Sequence, residues 1–304
     1  MTQTPDLADR IPTALSRAIL DWYAATGRTL AFRSTTDPYA VLVSELMAQQ
    51  TQAERAAEAW TAWIARWPTV SDLADAPVAD VLRAWAGLGY NRRALALHRA
   101  AQAIVTRHGG VVPASVPALV ALPGVGPYTA RAVAAIAFGM PVGAVDVNVR
   151  RVLGRLAAGG HEAFTPGGMQ ALADAVVPPD DAAAWTHALM DLGARLCKPA
   201  RPRCADCPAI AWCRYAAGER PVPSSPAGAS ARKPVERFAA TNRWLRGRVI
   251  DRARNAADGA WVAYPEAMGL HSATAVREAV VALGSEGLLE VREGEGGPEA
   301  RLPT

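Results

Sequence analysis

An all-α body with a small appendage is the fold class this sequence predicts, and three observations predict it. Apolar residues recur at helical spacing through Ala-rich stretches, β-branched alternation is scarce before residue 255, and proline or glycine punctuates the stretches. The chain of 304 residues is 51% apolar, enough to build two domains with large cores and a further segment.

Each element follows from local signals. Residues 8–26 read as an amphipathic helix with Ile11, Leu15, Ile19, Leu20 and Tyr23 on one stripe. Pro38 suits the first turn of a helix carrying Val41, Leu42, Leu46 and Met47. Helices follow over about 51–66, 78–87 and 92–108, separated by Pro68, Pro77 and the Gly87-Leu88-Gly89 turn. After Leu122-Pro-Gly-Val-Gly-Pro-Tyr-Thr-Ala130 an apolar helix runs to Phe138, another begins after Asp146, and two more lead to a cysteine-rich loop. Residues 219–236 are a Pro/Ser/Ala-rich linker. Beyond it, a helix at 242–255, a strand at Trp261–Tyr264, two helices to about 284 and a strand-and-turn at Leu288–Gly294 give a winged-helix-like order for 237–304.

Net charge of +4 and a pI near 9.1 favour an anionic partner only modestly. The distribution is more telling: between Arg201 and Arg254 stand eleven arginines and Lys233 against four acids. Such a run is by itself most simply a solvated surface. No run of eighteen apolar residues occurs, so a membrane span is not expected.

The four cysteines, Cys197, Cys204, Cys207 and Cys213, form one C-x6-C-x2-C-x5-C loop. Thiols concentrated in this way are ligands. Disulfides are disfavoured because Met1 to Arg10 has no apolar signal segment. Zinc suits Cys204-x2-Cys207, and an iron–sulfur cluster suits an all-thiolate set. Upstream, Gly124 and Gly126 permit close backbone approach beside a helix start, so their turn can offer N–H groups to a phosphate, or simply connect two helices. Asp146 follows about twenty residues later, where an aspartate most often caps the next helix.

Hairpin, aspartate and cysteine loop, in this order and at these spacings, resemble the helix-hairpin-helix DNA glycosylases. Val43-Ser-Glu-Leu-Met-Ala-Gln-Gln-Thr-Gln52, Gly87-Leu-Gly-Tyr90 and Asp191-Leu-Gly-Ala194 resemble the MutY-type adenine glycosylase branch over about residues 17 to 217. The resemblance implies a two-domain helix-hairpin-helix fold: 1–30 and 147–218 form a cluster domain, and 31–146 a six-helix domain with the hairpin. It further implies a [4Fe–4S] cluster on the four cysteines, a duplex DNA partner carrying a mismatch or lesion, a monomeric state, and a cytoplasmic, nucleoid-associated location.

The same resemblance assigns the site. Asp146 stabilises the oxocarbenium sugar and Glu45 protonates the departing purine, which requires burial to raise its pKa by roughly two units. Tyr128 hydrogen-bonds the catalytic aspartate, with Asn148 as its companion. Relatives with a lysine nucleophile carry it where this chain has Tyr128, and neither of its two lysines, Lys198 and Lys233, lies near these motifs, so water is the expected nucleophile. Gln50 is the wedge in the duplex, Thr51 and Tyr90 face the opposite base, and Leu88 belongs to the same turn. Arg33 is retained from the family's segment before the first active-site helix. Phe32 and Ala48 replace the family's Trp and Leu at the adenine pocket, and Val147 replaces a Gly, which crowds that turn. Typical relatives also carry a C-terminal domain that reads 8-oxoguanine, whereas residues 237–304 look like a winged helix. The expected activity is removal of adenine opposite 8-oxoguanine or guanine. Removal of thymine or uracil opposite guanine is the alternative, and a catalytically silent iron–sulfur DNA-binding protein is a rival of another class.

Overall fold

The computed structural model describes residues 11–219 and 237–304; Met1–Arg10 and, apart from Glu219, the expected linker lie outside the described residues. In chain order the helices are α1 (Thr13–Thr26), α2 (Pro38–Ala48), α3 (Ala53–Arg66), α4 (Val70–Ala74), α5 (Val78–Ala84), α6 (Arg92–His108) and α7 (Val116–Val120). There follow α8 (Pro127–Phe138), α9 (Val147–Ala158), α10 (Pro166–Ala175), α11 (Ala182–Asp191), α12 (Asn242–Arg254) and α13 (Ala273–Ser285). Three short strands, β1 (Val262–Ala263), β2 (Glu290–Gly294) and β3 (Gly297–Arg301), complete the described residues. Helix starts are chemically marked: Pro127 and Pro166 occupy first turns, while Ser115, Asp146, Thr165, Thr241 and Ser272 each accept a backbone N–H from the turn they open.

The described residues gather into two compact units. One takes those up to Glu45, Ala114–Ala121 and those from Val125 to Glu219; the other takes Leu46–Pro113, Leu122–Gly124 and those from Arg237 onward. In the first unit, Leu15 and Ile19 of α1 share a core with Val152 and Leu153 of α9, Met169 and Leu172 of α10, and Trp185 and Leu189 of α11. Each such burial contributes roughly 1.5–3 kcal/mol. Cys197, Cys207 and Cys213 pack, half-buried, against that same core.

In the second unit, Trp63 meets Trp67 and Trp85 edge-on, at ring separations of 4.6 and 5.6 Å. Residues 237–304 belong to this unit. Helix α12 buries Leu245, Val249, Ile250 and Ala253, and α13 buries Val276, Val280 and Leu283. The strands form an antiparallel sheet in the order β1-β3-β2, with Ala300 of β3 opposite both Val262 and Val291. The order of elements is winged-helix-like, as expected, with two differences. Where a first of two helices was expected, Met268 and His271 close a small β-bridge, and Gly269 adopts φ +60° with the Trp244 ring where a Cβ would stand. That backbone cannot continue a helix. A third strand, β3, pairs with both others. No helix among the described residues is long and apolar enough to cross a membrane.

Candidate active site

Glu45 stands one turn from the end of α2, between Ser44 and Leu46, and is 7% exposed. Removal from water pushes its carboxyl up to about 7; nearby Asp146 adds to the rise, while Tyr128 and Arg33 oppose it. A carboxylic acid in this range holds its proton near neutrality and can release it to a basic atom. Burial, and then the carboxylates of Glu45 and Asp146, push Tyr128 well above the usual tyrosine range, so it remains a phenol.

Asp146 is the N-cap of α9. Its carboxylate accepts from the backbone N–H of Asn148 at 2.8 Å and of Val149 at 2.7 Å, and from Asn148 Nδ2 at 3.0 Å. Those three bonds fix the orientation of both carboxylate oxygens, as an N-cap requires. The Tyr128 hydroxyl faces Glu45 rather than joining the donors to Asp146, and makes a long 3.9 Å contact to Met190 sulfur. Val147 is 76% exposed, so its side chain leaves the turn uncrowded.

Asn148 is itself held. Arg151 donates to Asn148 Oδ1 at 2.7 Å, to the Gly193 carbonyl at 2.8 Å and to the Cys197 carbonyl at 2.6 Å. A Cβ on Gly193 would lie 2.6 Å from the Asn148 Cβ, so only glycine admits this approach. The segment Leu192–Leu196 is a π-helical turn, a feature frequent at functional sites. The aspartate that precedes it, Asp191, is fully buried and receives a two-pronged hydrogen bond from Arg33, at 2.8 and 3.0 Å, plus Arg28 at 2.8 Å. Although burial opposes it, these hydrogen bonds and charges hold Asp191 below the usual carboxylate range. Arg33 therefore spends its fork on Asp191. Phe32 lies beside it, buried, in the 3-10 turn Ala31–Arg33.

The expected duplex-reading residues form a second constellation, in the second unit. Among the described residues, Gln50 and Tyr90 alone of the non-glycines have positive φ, 53° and 47°. Such strain persists only where surroundings enforce it. The enforcer is Arg93. It donates to the carbonyls of Leu46 (2.8 Å), Met47 (3.2 Å) and Gln49 on one side, and of Leu88 (2.9 Å) and Gly89 (3.1 Å) on the other. It also stacks 5.6 Å over the Tyr90 ring and reaches Thr51 Oγ1 at 3.4 Å. Thr51 N–H caps the carbonyl of half-buried Ala48 at 3.3 Å, and Leu88 is buried. Neither Arg93 nor Arg151 carries a sequence signal, since each ties a nearby turn to a segment more than forty positions away. In the hairpin, Gly124 adopts φ +74° with a Cβ position only 2.5 Å from that of Ala96, whereas Gly126 opens α8 with free space around it. Gly124 is thus a packing requirement, and Gly126 leaves the α8 N-terminus accessible.

All four cysteines line one cavity. The donor set around it is four thiols, the ligand set of an iron–sulfur cluster. Arg155 supplies compensating positive charge: it lies 3.4 Å from the Cys197 sulfur and binds the carbonyls of Lys198 and Pro199, each at 2.8 Å. Burial pushes the Cys207 thiol up to about 11, so loading the site must displace protons.

A model of the HhH-GPD superfamily of base excision DNA repair proteins matches residues 43–179. The adenine DNA glycosylase of Mycolicibacterium smegmatis is 43% identical over 239 residues, which is 78% of this chain and 79% of that protein. The chain belongs to the adenine DNA glycosylase family. Among solved structures, a thermostable thymine-DNA glycosylase superposes on this family member with a TM-score of 0.65 at 28% identity, covering 70% of this chain and all of that one. A trapped Endonuclease III–DNA covalent intermediate gives 0.59 at 22% identity, over 72% and 99%, a likeness of fold. The all-α glycosylase fold expected from the motifs is the fold observed.

Proposed function

We propose that this protein is a monofunctional DNA glycosylase of base excision repair that hydrolyses the bond joining adenine to deoxyribose, where adenine is mispaired with 8-oxoguanine or guanine. The observation that carries the reading is the pairing of a buried, proton-holding Glu45 with a hydrogen-bonded Asp146. Glu45 gives its proton to a ring nitrogen of the extruded adenine. The electron pair of the C–N bond leaves with the base, and Asp146 stabilises the positive charge left on the sugar. Water then attacks the anomeric carbon and gives up a proton to the ionised Glu45, which restores the acid. Tyr128, at the position that follows Gly126-Pro127, offers no amine for a Schiff base, so strand cleavage is not part of the reaction. Gln50, Thr51 and Tyr90 act on the duplex around the vacated position, and the Gly126 turn receives a phosphate.

Cys197, Cys204, Cys207 and Cys213 would hold a [4Fe–4S] cluster, which would supply four thiolate–iron bonds tying the cysteine loop together. Purified protein is expected to show the visible iron–sulfur absorption with iron and inorganic sulfide in equal amounts. Stoichiometric zinc without sulfide would overturn the assignment.

The deciding experiment is single-turnover base release from duplexes carrying adenine opposite 8-oxoguanine, adenine opposite guanine, thymine opposite guanine and uracil opposite guanine, each read with and without alkali. Strand breaks in the adenine duplexes only after alkali are expected. Preference for thymine or uracil would replace the substrate, and no release from any duplex would favour the silent DNA-binding reading.

A further inference from the structure

A groove of about 1030 Å³ runs through the second unit, walled by the Gln49–Gln52 turn, the Gly87–Arg93 turn and the exposed side of α12. Seven arginines line it against one acid, Asp251; with Glu286 just behind, five positive charges remain uncompensated. The arginines of α12 are not equivalent. Arg254 is turned inward onto the Leu82 carbonyl, Asn91 and Asp251. Arg248 pairs with Asp251 at 2.6 Å, and Arg246 shares Glu286 with Arg92. These contacts weld the C-terminal segment to the rest of its unit.

Arg243 is different. It is exposed and has no carboxylate partner among the described residues, and its guanidinium lies 4.7 Å over the Tyr90 ring while donating to the Tyr90 hydroxyl at 2.6 Å. It also lies 5.0 Å over the Phe238 ring, so two aromatic faces hold the guanidinium at the groove while most of its N–H donors have no acceptor among the described residues. Arg55, from α3, also lines the groove and is likewise exposed and without an ion-pair partner among the described residues.

We propose that residues 237–304 are part of the DNA-binding surface, with Arg243 and Arg55 gripping the phosphates of the strand that carries the base opposite the excised one. The inference rests on the glycosylase reading for its choice of occupant. Two strained, arginine-clamped turns line this groove, and a polyanion is the partner its charge suits. Arg243 joins the two functions, because the cation that meets the phosphate also fixes the tyrosine that faces the base.

The test is equilibrium binding of the full-length protein to a duplex whose abasic analogue lies opposite guanine and cannot turn over, measured across a range of salt. Arg243→Glu is expected to weaken binding about tenfold near 0.1 M salt and to lower the salt-dependence slope by about one. Arg107→Glu, an equal change of charge at an exposed position outside the groove, is expected to stay within about twofold of the parent. If Arg243→Glu binds as Arg107→Glu does while the parent releases adenine normally, this proposal falls and the enzyme assignment stands. If the parent releases no base but Arg243→Glu loses affinity, the assignment falls and the DNA face stands.

Discussion

Asp146→Asn is expected to reduce adenine release by about 10³-fold or more, while duplex affinity and thermal stability change little. The expectation separates the two duties of this side chain. Asparagine is as good an N-cap as aspartate, and its amide oxygen can still accept from the N–H groups of Asn148 and Val149. What it cannot do is offset the charge that develops on the sugar. Single-turnover release, anisotropy binding and a melting curve on the same preparation read the three properties independently. A parallel fall in release and melting temperature would make Asp146 a structural cap and remove the central step of the proposed reaction.

Glu45→Gln is expected to be similarly damaging to adenine release and, at the same time, to make the protein more stable above neutral pH. The sign follows from linkage. The carboxyl rises from 4.5 in the unfolded chain to about 7 in the fold, so the folded state binds this proton more tightly. Its contribution is complete below about pH 4.5 and is lost as pH rises through about 7. The full loss is roughly 3 kcal/mol on the conversion of 1.36 kcal/mol per unit. Glutamine does not ionise, so the melting temperature of the variant should exceed that of the parent by a margin that grows from pH 5 to pH 8. Parent activity should fall as the acid ionises, tenfold per unit well above pH 7. Melting curves for parent and variant that run parallel across this range would mean that Glu45 is ionised in the folded protein, and adenine would then have to leave without its proton.

How much of this was legible beforehand varies with the range of the interaction. Helix starts marked by Pro38 or Asp146 were readable because the signal and the structure occupy the same few residues, whereas the helix expected after Ala130 begins at Pro127 and the one expected to reach 87 ends at Ala84. Strand β3 was not, since Gly297-Pro-Glu-Ala-Arg301 has no β-branched alternation and acquires its conformation by pairing with β1 and β2. The same holds at the site. Glu45, Asp146 and Tyr128 sit in motifs, and the first unit brings them within electrostatic reach of one another. Arg33 was marked by the segment before the first active-site helix, but that motif did not reveal its partner Asp191, 158 positions away. Arg151 and Arg93 were invisible, because an arginine in an arginine-rich chain reveals nothing until its acceptors are known.

Arg93 has one last consequence. Loops that order themselves only on contact with a partner surrender part of the interaction energy to lost conformational freedom. Here the turns bearing Gln50 and Tyr90 are already tied to a single guanidinium, so that entropy is spent when the chain folds. On the proposed reading these turns would meet each base pair as a preorganised edge, and the time spent on undamaged DNA would include no loop-closing step.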